Sequence, residues 1–125
     1  MQVNHKKLIL VIDDSVDSQI LLRLLLESKG YEVHTALNGV EALSLLKELS
    51  RLPDIILLDA QMPVMGGYQF RFEQGQNARL KDIPVIVMSG DVDEDIDLKM
   101  MYPEAVLVKP LNMKSLVESI ELNLR

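Results

Sequence analysis

Five polar side chains in this sequence stand directly behind short aliphatic runs, and they hold its chemistry. Asp13 and Asp14 follow Leu8–Ile12, Asp59 follows Ile55–Leu58, Ser89 follows Pro84–Met88, and Lys109 follows Glu104–Val108. Three carboxylates brought together repel, and at least one takes up a proton unless a cation shares the site. Hard oxygen donors without nitrogen or sulfur favour Mg²⁺, which keeps several waters and prefers one or two carboxylates plus phosphate oxygens. Lys109 is a compact point charge suited to a phosphoryl oxygen, and the Ser89 hydroxyl can donate to another. A carboxylate can itself be the nucleophile toward phosphorus, giving an aspartyl phosphate. A metal and a lysine then neutralise the charge spread over the transferring group.

That chemistry requires the five groups to meet, so the elements that carry them decide the reading. Runs of four or five aliphatic residues bounded by proline, glycine or aspartate read as strands buried on both faces, as in parallel sheets covered by helices. Pro53-Asp54-Ile55-Ile56-Leu57-Leu58-Asp59 is the clearest case, closed on its far side by Pro63 and Gly66-Gly67. Between the strands lie helical patterns. Asp14 or Ser15 caps a helix to about Lys29, with Ile20, Leu21, Leu24 and Leu25 as its stripe and Gly30 as its stop. Glu32–Ala36 is a strand nearer a sheet edge, and Asn38-Gly39 is a turn. Val40, Leu43, Leu46 and Leu49 form a second helical stripe. Tyr68, Phe72 and Leu80 mark a third, weakened by Gly75. Asp91–Tyr102 is acidic, with only Ile96 and Met100 as a helical pair. A last helix starts at an Asn112 cap and carries Met113, Leu116, Val117, Ile120 and Leu124. Strands alternating with helices five times predict a parallel sheet with helices on both faces. The carboxyl ends of parallel strands share one edge, where ligands bind in open α/β sheets.

Composition narrows the class. A chain of 125 residues with 48% hydrophobic content is expected to be one folded domain, 1–125, with no internal repeat or linker. There is no cysteine, hence no disulfide and no thiolate metal site. A net charge of −6 and a pI near 4.8 argue against nucleic acid as a direct partner. The first apolar run is too short for a signal-peptide core or a membrane span, so no membrane insertion and a cytoplasmic location are expected.

Taken singly, each group has a plainer explanation: Asp13-Asp14 as a helix cap, Ser89 as a turn residue, Lys109 as a solvated charge. Taken together, Asp13-Asp14, DAQMPVMGG around Asp59, VIVMSG into Ser89 and Lys109-Pro110 resemble the receiver domain of two-component response regulators, in order and spacing over essentially the whole chain. The resemblance implies a flavodoxin-like, doubly wound five-stranded sheet of order 2-1-3-4-5. It implies that Asp59 accepts a phosphoryl group from a histidine kinase or histidine phosphotransfer protein. It also implies Mg²⁺ on Asp14, Asp59 and the backbone carbonyl of Gln61, with Asp13 contributing through water. Ser89 and Lys109 would hold the phosphoryl oxygens, and the Lys109-Pro110 bond would be cis. The chain would then be a stand-alone signalling module, not an enzyme acting on a separate substrate. Its output would pass to a downstream protein through a face made by the fourth helix, the fifth strand and the last helix. A receiver excised from a larger regulator or hybrid kinase is the alternative.

Three positions depart from the family pattern. Val106 stands where receivers carry Tyr or Phe, Gly66 replaces an Asp or Asn, and the stretch from Ser89 to Lys109 is about two residues short, so a short or shifted fourth helix is expected. Two other classes fit less well. A haloacid-dehalogenase-type phosphohydrolase also forms an aspartyl phosphate but wants a second acid two residues after its nucleophile, where this chain has Gln61. A flavin-binding flavodoxin needs a hydroxyl- and glycine-rich loop after its first strand, where this chain has two aspartates.

Gln61 and Asp91 are expected to flank the path of water to a phosphoryl group on Asp59. Gln61→Ala or Asp91→Ala should therefore change the aspartyl-phosphate lifetime and leave Mg²⁺ affinity nearly unaltered. Decay of the phosphorylated species followed by intact mass checks this, and equal lifetimes in all three proteins would contradict it.

Overall fold

The computed structural model describes residues 6–60, 62, 64–90 and 101–124. Five strands, β1 (Leu8–Ile12), β2 (Glu32–Ala36), β3 (Ile55–Asp59), β4 (Val85–Ser89) and β5 (Ala105–Val108), form one parallel sheet in the order β2-β1-β3-β4-β5. Four helices lie among the described residues: α1 (Val16–Ser28), α2 (Gly39–Glu48), α3 (Gly67–Gly75) and α4 (Met113–Asn123). The fourth helix expected after Ser89 falls on residues 91–100, outside the described residues, so here α4 denotes the C-terminal helix.

Every residue of β1, β3 and β4 is buried, because both faces of the central strands are covered. Alternate side chains enter opposite layers. Leu10, Ile12, Ile56, Leu58, Val85 and Val87 pack toward α2 and α3. Ile9, Val11, Ile55, Leu57, Ile86 and Met88 pack toward α1 and α4. Each such side chain contributes about 1.5–3 kcal/mol relative to exposure. The edge strands β2 and β5 lack full cover, and Val106 and Val108 of β5 are exposed.

Helix starts follow the sequence signals at Ser15 and Asn112, while Asn38, expected as a turn residue, also caps a helix. Ser15 accepts from the Ser18 amide, Asn38 from Glu41 and Asn112 from Ser115, each relieving one orphan donor of the first turn. Gly30, at φ +93°, ends α1 in the left-handed conformation that favours glycine. Arg79 reaches from the α3–β4 connection to the Leu46 and Leu49 carbonyls at 2.7 and 2.6 Å, placing a cation on the C-terminal end of α2.

On α4 the expected Leu116 and Ile120 are buried, whereas the other helix faces differ in part from the sequence expectation. On α1 the core takes Leu22 and Leu26, while Ile20, Leu21 and Leu24 are exposed. The helix is apolar nearly all round, so periodicity cannot choose the buried side. On α2 the core takes Leu46, as expected, together with Ala42, and Leu43 and Leu49 pack against it; of the expected stripe Val40 is exposed. On α3 the core takes Phe70 and Gln74, whereas Tyr68 and Phe72 face outward; Leu80 is buried as expected. Gln74 enters the core because its amide is satisfied there: Nε2 donates to the Leu80 and Ile83 carbonyls, and Oε1 accepts from Arg71. Arg71 also donates to the carbonyls of Met101 and Tyr102, tying α3 to the chain that enters β5. Burial pulls its guanidinium below the usual arginine value, with Glu104 opposing.

The two phenylalanines of α3 separate these readings. Phe70→Ala is expected to cost about 3–5 kcal/mol, and Phe72→Ala about 0.5 kcal/mol or less, in urea denaturation followed by circular dichroism. Comparable losses would contradict the assignment of the buried face.

Candidate functional site

The sheet order decides which strand ends become neighbours. β1 and β3 are adjacent, as are β3 and β4, and β4 and β5, so the carboxyl ends of four consecutive strands in space carry Asp13, Asp59, Ser89 and Lys109. Asp59 is the last residue of β3 and lies opposite Met88, which sets Ser89 one position further along the neighbouring strand. Asp13 leaves β1 just beyond the sheet, its amide still bonded to the Ala36 carbonyl at 3.0 Å. Lys109 leaves β5 in the same way, its amide donating to the Ser89 carbonyl at 2.8 Å, and its bond to Pro110 is cis.

The side chains converge. Carboxylate oxygens of Asp13, Asp14 and Asp59 all lie within 4.8 Å of one another. Asp13 and Asp59 are buried, at 1% and 5% exposure, whereas Asp14 is exposed. Asp13 Oδ1 accepts from the Ser15 amide at 2.9 Å, so the residue is both cluster member and start of the α1 turn. Lys109 Nζ lies 3.4 Å from Asp59 Oδ1, one third exposed against a buried partner. Ser89 is fully buried. A groove of about 280 Å³ opens beside the cluster, reaching from Asp13 and Lys109 past Pro110 to Leu21, Leu25 and Met113.

The donor set suits a hard divalent cation. Three carboxylates against one ammonium leave two negative charges among these four side chains, which one divalent cation would balance. All three acids offer oxygen, and the exposure of Asp14 leaves a wet side where a metal can keep waters. The pocket is therefore able to bind a metal. Gln61, whose carbonyl was expected to complete the ligand set, lies outside the described residues, as does Asp91. Sequence reasoning missed Gln19, buried beside Asp13; a polar residue inside an apolar helix carries no periodic signal of its own.

Comparison with known proteins decides what such a site belongs to. Residues 9–121 match the family described as the response regulator receiver domain. The chain belongs to that family. It is 32% identical over 120 residues to the polar-differentiation response regulator DivK of Brucella anthropi, covering 92% of this chain and 94% of DivK. It is 36% identical over 85 residues to the sensor histidine kinase CheAY of Helicobacter pylori, covering 68% of this chain and 11% of that protein. With a probable transcriptional regulator, ycf27 of Cyanophora paradoxa, it shares 35% identity over 127 residues, spanning 100% of this chain and 51% of the relative. Among solved structures, the chemotaxis protein CheY4 of Vibrio cholerae superposes with a TM-score of 0.87 at 28% identity, over 96% of this chain and all of CheY4. This receiver thus has the five-stranded order and strand-end cluster that its sequence led one to expect. No helix among the described residues is long and apolar enough to cross a membrane.

Binding of a divalent cation to the folded receiver should stabilise it by mass action, by about 2.7 kcal/mol at a concentration a hundredfold above Kd. Wild type is expected to melt higher in millimolar Mg²⁺ than in EDTA, and Asp14→Asn to lose most of that difference in a thermal-shift measurement. An undiminished shift in Asp14→Asn would remove it from the ligand set.

Proposed function

We propose that this receiver takes a phosphoryl group on Asp59 from a phosphohistidine of a kinase or phosphotransfer protein, with Mg²⁺, and signals by protein–protein contact. The observation that carries the reading is the placing of a buried Asp59 against Lys109 inside a three-carboxylate cluster. Asp59 is the nucleophile: a carboxylate oxygen forms the new bond to phosphorus as the P–N bond to the donor imidazole breaks, and the imidazole leaves to take up a proton. Lys109 holds a phosphoryl oxygen, and the Ser89 hydroxyl donates to another. Asp13, Asp14 and Asp59 would hold Mg²⁺, which supplies positive charge against the phosphoryl oxygens.

A donor protein has a surface to rest on beside Asp59. The groove that starts at Asp13 and Lys109 is bordered by Leu21, Leu22 and Leu25 of α1, of which Leu21 is exposed, and Ile20 and Leu24 are exposed elsewhere on the same helix. An exposed apolar patch of this kind fits a protein partner better than a free small molecule. Output belongs to another surface in this reading. Val106, Val108 and the start of α4 border a groove of about 240 Å³ on the β5 edge, which supports docking of a downstream protein there. The chain is read as a phosphoacceptor and not as a hydrolase, since Ala60 and Gln61 follow Asp59 where a dehalogenase-type enzyme wants its second acid. Membership of the receiver family supports a cytoplasmic location.

Incubation with acetyl phosphate and Mg²⁺, followed by intact-mass measurement, tests the reading. Wild type should gain one phosphoryl group, Asp59→Asn none, and Lys109→Met should react at least tenfold more slowly, on the scale of losing one charge-stabilising group (about 10²–10³). Absence of any gain in wild type across Mg²⁺ and donor concentrations would overturn phosphorylation as the signal.

A further inference from the structure

Resting on the reading of Asp13, Asp14 and Asp59 as a divalent-cation site, we propose that Gln19 is a positioning residue that orients the Asp13–Asp14 peptide for metal binding. Gln19 sits in the first turns of α1 on the side that faces the sheet, in line with the buried Leu22 and Leu26. It is 8% exposed, at a position where an apolar side chain would serve packing equally well. An amide buried there is costly unless its donors are met, and both are. Nε2 donates to the Asp13 carbonyl at 2.9 Å and to the Ala36 carbonyl at 2.7 Å.

These two acceptors are not arbitrary. The β1–β2 ladder ends at the Ile12–Ala36 pair, and Asp13 leaves the sheet with one remaining bond, its amide to Ala36. The Gln19 amide supplies the next rung, joining the two strand ends beyond the point where the main chains can join themselves. The Asp13 carbonyl and the Asp14 amide belong to one planar unit. Holding that carbonyl therefore fixes the plane from whose two ends the Asp13 and Asp14 side chains depart. The Asp13 carboxylate is held separately, through Oδ1 and the Ser15 amide. Without Gln19, repulsion among three carboxylates would act on a peptide secured by fewer bonds, and the two acids would spread.

Gln74 provides an internal contrast. It is buried in α3 and also donates through Nε2 to two carbonyls, of Leu80 and Ile83, on the opposite face of the sheet from Gln19. If buried glutamine bridges serve only packing, the two residues should behave alike.

Isothermal titration of the full chain with Mg²⁺ distinguishes them. Methionine keeps the length of the side chain and removes its N–H groups. Gln19→Met is expected to bind Mg²⁺ about 10–100-fold more weakly, the usual effect of losing an outer-sphere partner of a metal ligand. Gln74→Met should melt lower than wild type yet bind Mg²⁺ as wild type does. Unchanged Mg²⁺ affinity in a folded Gln19→Met, or an equal loss in Gln74→Met, would overturn the proposal. If wild type itself gives no binding heat and no Mg²⁺-dependent stabilisation, the metal-site reading beneath it fails instead. Should Gln19→Met not fold, Gln19→Asn, one methylene too short to span both carbonyls, is expected to lose affinity in the same direction, and wild-type affinity in that variant would count against the proposal.

Discussion

Three carboxylates held within a few ångströms of one another are the constraint on which the rest of this receiver depends. Two carboxylate oxygens 4–5 Å apart repel by about 3–4 kcal/mol at an effective dielectric near 20. Solvent around the exposed Asp14 lowers that figure for its own pairs, but Asp13 and Asp59 are both buried. Lys109 at 3.4 Å offsets part of the repulsion on Asp59. The remainder must be borne by the scaffold. Strands whose every side chain is buried serve that purpose, because displacing Asp59 along β3 would drag Ile55–Leu58 through two packed layers at once.

Polar groups inside the helical layers complete the scaffold. Gln19 and Gln74 occupy core-facing positions of α1 and α3 and bond to main-chain carbonyls of the strand end and connections beneath them. Arg79 does the same for the end of α2. Apolar packing fixes how far a helix stands from the sheet, but it is non-directional. A bidentate amide or a guanidinium fork selects one rotation and one axial position. Leaving such buried acceptors unpaired costs about 1–3 kcal/mol each, enough to decide between faces of a helix that are almost equally apolar.

This explains which parts of the fold were legible in the sequence. Strand ends were plain, because Leu8–Ile12, Ile55–Leu58 and Pro84–Met88 are unbroken aliphatic runs that stop at a polar residue. The caps Ser15, expected there or at Asp14, and Asn112 were also legible, since a short polar side chain ahead of an apolar stripe has few other uses, whereas Asn38, read only as part of a turn, caps α2. The five groups of the site were found through those strand ends, and the structure brings Asp13, Asp14, Asp59 and Lys109 together. The faces of α4 and most of α2 were legible too, since Leu116, Ile120 and Leu46 lie in the core as expected, but those of α1 and α3 were not. A stripe drawn through Ile20, Leu21, Leu24 and Leu25 is as regular as one through Leu22 and Leu26. Phe72 matches helical spacing as well as Phe70 does. In both helices the buried face contains a glutamine, which periodicity counts against the correct answer.

The apolar surplus of α1 is then informative. Leu22 and Leu26 suffice to seat the helix on the sheet, yet Val16, Ile20, Leu21 and Leu24 remain more than half exposed. A helix apolar all round is ordinarily one that is covered all round. Fold stability does not call for these outer residues, and solubility would be served better by charged ones. One of them, Leu21, borders the groove that begins at Asp13 and Lys109. One helix therefore faces two ways, its inner side holding the acidic pair through Gln19 and its outer side offering aliphatic surface next to the same pair. In the proposed reading a group reaching Asp59 from a second protein would meet that surface on the way, which would set the features that hold the site and those that receive a partner on opposite sides of a single element.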